Sequence, residues 1–157
     1  MRIGLGVDFH PFAKDRPLYL GGIKIDYPEG LAGHSDADVL THAICDAILG
    51  AAGLEDIGKH FPDDDRRFKD ISSLKLLEEV IRMVEAKGYR IINIDAVIIA
   101  DRPRLGPYYQ AMRHKISAVS GIPIEAISIK AKRTEGLGLI GEGKGIAAIA
   151  NALIEEK

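Results

Sequence analysis

The chain has a single cysteine, Cys45, so no intrachain disulfide can form and a reducing compartment is expected. No apolar run approaches the ~18 residues that a membrane span requires. The opening Met1-Arg2-Ile3-Gly4-Leu5-Gly6-Val7-Asp8 lacks the long apolar segment of a signal peptide. The expected location is therefore the cytoplasm, or an organelle if a transit peptide has been removed. An excess of one charge is missing as well: 21 Lys+Arg stand against 23 Asp+Glu, a net charge of −2. Nothing supplies the broad positive field that draws nucleic acid or an anionic membrane, so neither is an expected partner. Repeats, low-complexity tracts and interdomain linkers are absent. So is a Gly-x-Ser-x-Gly elbow, and no serine, cysteine or lysine is primed as a nucleophile.

The 157 residues, 46% of them hydrophobic and 28% charged, suit one globular domain with a core of its own. Residues 2–10 alternate, with Ile3, Leu5 and Val7 on one face and Arg2, Gly4, Gly6, Asp8 and His10 on the other. That period predicts a half-buried strand. Leu18–Leu20 and Ile23–Ile25 flank Gly21-Gly22, a two-residue hairpin signal. Ser35-Asp36-Ala37-Asp38 reads as a capping box, and Leu40, Ile44, Ala47, Ile48 and Ala51 recur at helical spacing up to a stop at Gly53. Residues 55–70 read as a polar loop. A second helix, capped by Ser72 or Ser73, carries Leu74, Leu77, Ile81 and Val84 and ends at Gly88. Ile91–Ala100 reads as a buried strand. A third helix with Met112, Ile116 and Val119 inward stops at Gly121, and Ile127–Lys132 is a short strand. Gly136–Gly145 reads as a loop, and the tail Ile146–Ile154 suits either helix or strand. Strands and helices alternate, which predicts a layered sheet with helices.

Several groupings could carry chemistry. Asp8 and His10, at i and i+2 of a strand, project to the same side, and a helix packed over the strand end could bring His42 to them. Two imidazoles and a carboxylate suit zinc with a fourth position open, although the spacing equally fits a strand-end aspartate with two satisfied histidines. Asp38 and Asp46 sit one helical turn either side of His42, so either could hold its other ring nitrogen. His34-Ser35, at the start of the helix, would suit an anion among free N–H groups, or plain capping by Ser35. The acidic loop from Asp56 to Asp65 could bind a polyol or a divalent ion, or simply be solvated. Gly136-Leu137-Gly138-Leu139-Ile140-Gly141 matches the dinucleotide pattern, but too little chain follows it for a nucleotide-binding unit. His60, His114 and Cys45 have no partner pattern.

In order along the chain stand Gly6-x-Asp8-x-His10, His34-Ser35-Asp36-x-Asp38, His42, Asp56-Ile57-Gly58 and Phe61-Pro62-Asp63-x-Asp65. Arg102-Pro103-Arg104-Leu105 and Lys130-Ala131-x-x-Thr134-Glu135-Gly136-Leu137-Gly138 follow. Taken together, and over essentially the whole chain, these motifs resemble the 2-C-methyl-D-erythritol 2,4-cyclodiphosphate synthase family. The resemblance implies an α/β (α+β) fold: a ferredoxin-like sheet with helices packed on one face, the tail forming a strand. It implies one synthase domain over residues 1–157, and a homotrimer whose sheets face the three-fold axis and whose sites lie at subunit interfaces. The family is a phosphorus–oxygen lyase of non-mevalonate isoprenoid synthesis. Its expected location is the cytoplasm, or a plastid stroma after removal of a transit peptide.

The resemblance also implies residue roles. Asp8, His10 and His42 would bind one zinc ion per subunit, and Glu135 a magnesium or manganese ion arriving with substrate. His34 and Arg133 would be catalytic. The diphosphocytidyl substrate would meet Asp8, His10, His34, Ser35, Asp56, Ile57, Gly58, Phe61, Pro62, Asp63, Asp64 and Asp65. It would also meet Ala100, Asp101, Arg102, Pro103, Arg104, Leu105 and Gly106, then Lys132, Arg133, Thr134, Glu135 and Leu139, the segments 100–106 and 132–135 coming from a neighbouring chain. Arg133 stands where the family usually carries a small hydroxyl residue. Leu139 and Glu142 stand where it often carries an aromatic residue and an arginine lining a central cavity, so weak binding of an isoprenoid diphosphate is expected there. Two other readings are a zinc- and nucleotide-binding trimer without turnover, and a zinc phosphohydrolase.

Overall fold

A computed structural model describes residues 1–157. The chain begins with the strand β1 (Arg2–Ala13), followed by the hairpin β2 (Leu18–Leu20) and β3 (Ile23–Ile25) and the short β4 (Gly30–Leu31). Gly21 and Gly22 both take left-handed φ, +57° and +72°, as a two-residue hairpin turn requires. Helix α1 (Val39–Ala52) ends at Gly53, also left-handed, and the one-turn α2 (Ile57–His60) follows. The long helix α3 (Ser73–Ala86) leads to β5 (Tyr89–Ile99), α4 (Tyr109–Ser120), β6 (Ile127–Lys132), the one-turn α5 (Gly138–Gly141) and β7 (Gly145–Glu156). The tail is a strand, and Ile146, Ala148, Ala150, Ala152 and Ile154 form its buried face.

Five strands make one sheet in the order β4-β1-β7-β5-β6. β7 runs antiparallel to both β1 and β5, while β5 and β6 are parallel and joined through α4. Helix α1 packs on β1 and β7, and α3 packs on α1. The core lies between α1 and the sheet. Leu40, Ile44, Ala47, Ile48 and Ala51 are buried there, as their spacing predicts.

The structure corrects the reading of β1. Its apolar face is the open one: Ile3 is 73% exposed, Leu5 61% and Phe9 67%. The glycine face is packed against α1, because only a residue without a side chain lets strand and helix backbones approach so closely. Smaller corrections concern helix ends. Asp38, not Ser35, caps α1, and its carboxylate accepts from Thr41 N at 3.0 Å. The same carboxylate accepts from Gly21 N at 2.9 Å and Gly22 N at 2.7 Å, so it ties the hairpin turn to the helix. Ser72 precedes α3 without a side-chain capping bond. The polar loop 55–70 contains α2 and a 3-10 turn at Arg66–Phe68, and the glycine-rich loop contains α5.

Candidate metal centre and substrate cleft

The far end of β1 and the first turn of α1 meet at Asp8, His10 and His42. Strand periodicity puts Asp8 and His10 on the face that α1 covers, and the glycines at positions 4 and 6 let the helix come low enough for His42 to reach them. Asp8 Oδ2 lies 3.0 Å from His10 Nε2 and 3.1 Å from His42 Nδ1, and the two ring nitrogens are 3.2 Å apart. Ligand atoms around a tetrahedral zinc, each at about 2.0–2.1 Å, stand roughly 3.3 Å from one another. The observed triangle has that size, and three donors of N,N,O type leave a fourth position facing the cleft. The donor set therefore fits a divalent ion of the zinc kind.

The electrostatics agree. Burial pushes the Asp8 carboxyl up, but hydrogen bonds and charge from His10 and His42 outweigh it and hold the group at about 2. Burial pushes His10 down, but the Asp8 bond and charge, helped by the Ala32 carbonyl, win and raise it. Asp8 is thus an anion ready to receive a cation.

Each imidazole is oriented by its other nitrogen. His10 Nδ1 donates to the Ala32 carbonyl at 2.5 Å, leaving Nε2 toward Asp8. His42 Nε2 meets Ser73 Oγ at 2.8 Å and Ser35 Oγ at 3.1 Å. This corrects the expectation for Asp38 and Asp46. Asp38 is occupied by the hairpin and helix start, and Asp46 accepts from Ile57 N at 2.7 Å, which anchors α2. Ser73, His42 and Asp8 stand in the order of a catalytic triad. Ser73 is fully buried, however, and donates its own proton to Asp36, so it is not a nucleophile.

Around the triangle lies a cleft of about 190 Å³ lined also by Gly33, His34, Ser35, Ile57, Gly58, Phe61, Asp63, Phe68 and Leu76. Arg16 holds its rim: the guanidinium donates to the Gly33 carbonyl at 2.9 Å and the Ser35 carbonyl at 2.7 Å, one either side of His34. His34 Nε2 contacts the Asp65 carbonyl at 3.0 Å. Residues 34 and 35 precede α1 by a turn, and Asp38 takes a leading N–H of that helix, so the helix start itself is not an open anion site. The acidic loop divides. Asp63 lines the cleft, whereas Asp56 caps α2 through Lys59 N and Asp65 pairs with Arg67. Pro62 and Asp64 do not line the cleft.

A second cluster lies apart from this cleft. None of Ala100, Asp101, Arg102, Pro103, Arg104, Leu105, Gly106, Lys132, Arg133, Thr134 or Glu135 lines it. Asp101 instead accepts from Thr134 N at 2.7 Å, Thr134 Oγ1 at 3.0 Å and Gly136 N at 3.3 Å, joining the loops after β5 and β6. Arg133 leans toward Asp101, 4.0 Å away. Leu139 borders a different hollow with Phe9, Ile140, Lys144 and Ile146.

Nothing in the sequence ties Ser73, Asp36 or Arg16 to the side chains of the cleft. Asp36 lay inside a quoted motif and Ser73 at a helix start, but neither spacing reveals that they meet His42. Arg16 carried no signal at all.

Comparison with known proteins bears on this geometry. The model of the YgbB family matches residues 1–155. A 2-C-methyl-D-erythritol 2,4-cyclodiphosphate synthase of Moorella thermoacetica is 55% identical over 157 residues, covering 100% of this chain and 96% of that one. A solved structure of a synthase of the same name, in a bound form with CDP, is 40% identical with a TM-score of 0.90, covering 98% of this chain and 100% of that one. The bifunctional IspDF of Campylobacter jejuni is 41% identical with a TM-score of 0.96. There the match covers 99% of this chain but only 42% of the larger one.

Proposed function

The chain belongs to the YgbB family, and from that membership we propose how the cleft at Asp8, His10 and His42 carries out 2-C-methyl-D-erythritol 2,4-cyclodiphosphate synthesis. In this lyase reaction of non-mevalonate isoprenoid synthesis, the 2-phosphate of 4-diphosphocytidyl-2-C-methyl-D-erythritol 2-phosphate attacks the β-phosphorus. The bond between the β-phosphorus and the bridging oxygen breaks, the ring closes, and CMP leaves with that oxygen.

The carrying observation is the triangle of ligand atoms, 3.0–3.2 Å on a side and open to the cleft. A phosphate monoester has a second pKa near about 6, so the attacking group is already largely a dianion at neutral pH and needs no strong base. The chain accordingly offers no primed nucleophile beside the cleft. Zinc on Asp8, His10 and His42, with magnesium or manganese at Glu135, would supply Lewis-acid charge against the crowded phosphates. His34, on the cleft wall, donates toward the developing charge. Ile57, Gly58 and Asp63 hold the methylerythritol end in the orientation for ring closure, with Phe61 on the same wall, while Asp56 and Asp65 fix the loop behind it through Lys59 N and Arg67. Arg133 contributes a cation to the diphosphate in place of a hydroxyl.

The reading includes a homotrimer of ferredoxin-like sheets facing a three-fold axis, each subunit one domain over residues 1–157. Two observations support it. The open apolar face of β1 is the kind of surface that subunit contact covers. The loops 100–106 and 132–135 lie outside the cleft of their own chain, as they would if the cytidine part were held by those loops of the partner subunit. Leu139 and Glu142 make the central cavity a poor site for an isoprenoid diphosphate. The enzyme works in the cytoplasm. No helix is long and apolar enough to cross a membrane.

Phosphorus NMR of the purified protein with this substrate and magnesium tests the whole reading. A cyclic diphosphate and CMP should appear and vanish on zinc chelation. Intact substrate beside bound zinc would favour a binding protein without turnover, and free inorganic phosphate a phosphohydrolase.

A further inference from the structure

His42 is a ligand candidate through Nδ1, yet the proton of its neutral ring can sit on either nitrogen. Its Nε2 lies 2.8 Å from Ser73 Oγ. That hydroxyl has its own proton committed to Asp36 Oδ1, which leaves the oxygen free to accept. Asp36 is fixed in turn, since its other oxygen accepts from Ser73 N at 3.0 Å and Oδ1 accepts from Asp38 N at 3.2 Å. Ser73 is fully buried on the first turn of α3, 31 residues from His42, so the contact is made only by packing α3 against α1. His10 is held the opposite way, with Nδ1–H on the Ala32 carbonyl and Nε2 presented. The two imidazoles thus show different nitrogens to the same point, each because its remaining nitrogen has a partner.

We propose that Asp36 and Ser73 form a hydrogen-bonded chain that fixes His42 in its Nε2–H tautomer and so presents Nδ1 as a metal ligand. They are positioning residues, neither of which touches substrate. The proposal rests on the metal reading above. A carboxylate behind a hydroxyl makes that hydroxyl a better acceptor, and such partners behind a ligating histidine typically account for about 10–100-fold in metal affinity. Ser35 Oγ stands further from Nε2, at 3.1 Å, and, unlike Ser73, has no carboxylate behind it; it accepts from Ala37 N.

The test uses the full chain as Ser73→Ala and, separately, Asp36→Asn. Zinc affinity is read by competition with a chromophoric chelator, and the His42 nitrogen that carries the proton by nitrogen-15 NMR of the histidine-labelled, zinc-loaded protein, in which Nδ1 no longer donates to Asp8. The wild type should show His42 protonated at Nε2. Ser73→Ala should show a mixed tautomer and a zinc affinity lower by about 10-fold or more. Asp36→Asn should fall between the two, which keeps the test decisive if Ser73→Ala fails to fold. Ser35→Ala should move both readouts less than Ser73→Ala. An unchanged tautomer with zinc affinity within twofold of wild type in the folded variants overturns the chain while leaving the metal site standing. A wild type that takes up no zinc overturns the metal reading and the proposal together.

Discussion

Gly6 in β1 lies directly beneath Ala43 in α1: a Cβ on Gly6 would run into the Ala43 carbonyl oxygen and stand 2.6 Å from the Ala47 nitrogen. The obstruction is backbone on both sides, so no side-chain rotation relieves it. Gly6→Ala should therefore lose about 3 kcal/mol or more of stability, at the upper end of overpacking costs. Urea unfolding checks this, and a loss under about 1 kcal/mol would show that α1 can rise off the sheet.

In the proposed metal centre His42 is one of three donors, and its removal leaves two. His42→Ala should lose bound zinc and cyclisation together, read by elemental analysis and phosphorus NMR. A zinc-replete, active variant would end the assignment.

Arg16 bridges the Gly33 and Ser35 carbonyls and so sets where His34 sits. Charge-assisted hydrogen bonds of this kind contribute about 1.5–3 kcal/mol each at most. Arg16→Ala should lower kcat by roughly 10-fold or more with zinc content unchanged, and Arg16→Lys should recover part of the loss. Equal turnover in Arg16→Ala and wild type would remove Arg16 from the site.

Asp95 pairs with Lys130 on the open face of the sheet. Burial pushes its carboxyl up, but hydrogen bonds from Lys130 and Ser128 and the Lys130 charge outweigh this and lower it. A carboxyl that ionises more readily in the folded chain adds stability above its unfolded pKa of about 3.9, and that stability is lost as pH falls through the lower native value. Both side chains are 44% exposed, so the amount is at most about 1 kcal/mol. The stability difference between wild type and Asp95→Asn should be constant near neutrality and shrink below about pH 4. A difference that grows as pH falls would contradict the pairing.

Leu5, 61% exposed, is in the middle of the open β1 face. Leu5→Asp should leave circular dichroism nearly unchanged but lower the mass found by light scattering, because a buried, unpaired charge is too costly for subunit contact. A full-mass assembly would place the subunit contact elsewhere.

Much of the fold is legible without coordinates, for local reasons. Gly21-Gly22 turns a hairpin because both positions need left-handed φ, and Gly53 and Gly121 stop helices for the same cause. The core face of α1 follows from the 3.6-residue spacing of Leu40, Ile44, Ala47, Ile48 and Ala51. The tail is ambiguous on pattern alone, since alternating alanines suit either element; the family resemblance implies a strand, and the structure has one.

The sequence by itself determined the residue kinds at the site and one of their relations. Asp8 and His10 share a face because a strand repeats every two residues, and no neighbouring element can change that. Only tertiary structure decided which face of β1 is covered. Hydrophobic periodicity marks two faces but not their neighbours, and here the requirement for close backbone approach put the glycines inward and left Ile3, Leu5 and Phe9 open. It also decided that Ser73, rather than Asp38 or Asp46, meets His42 Nε2. A helical turn sets which residues share a side, whereas a hydrogen bond is fixed by where a second helix, 31 residues further along the chain, is packed.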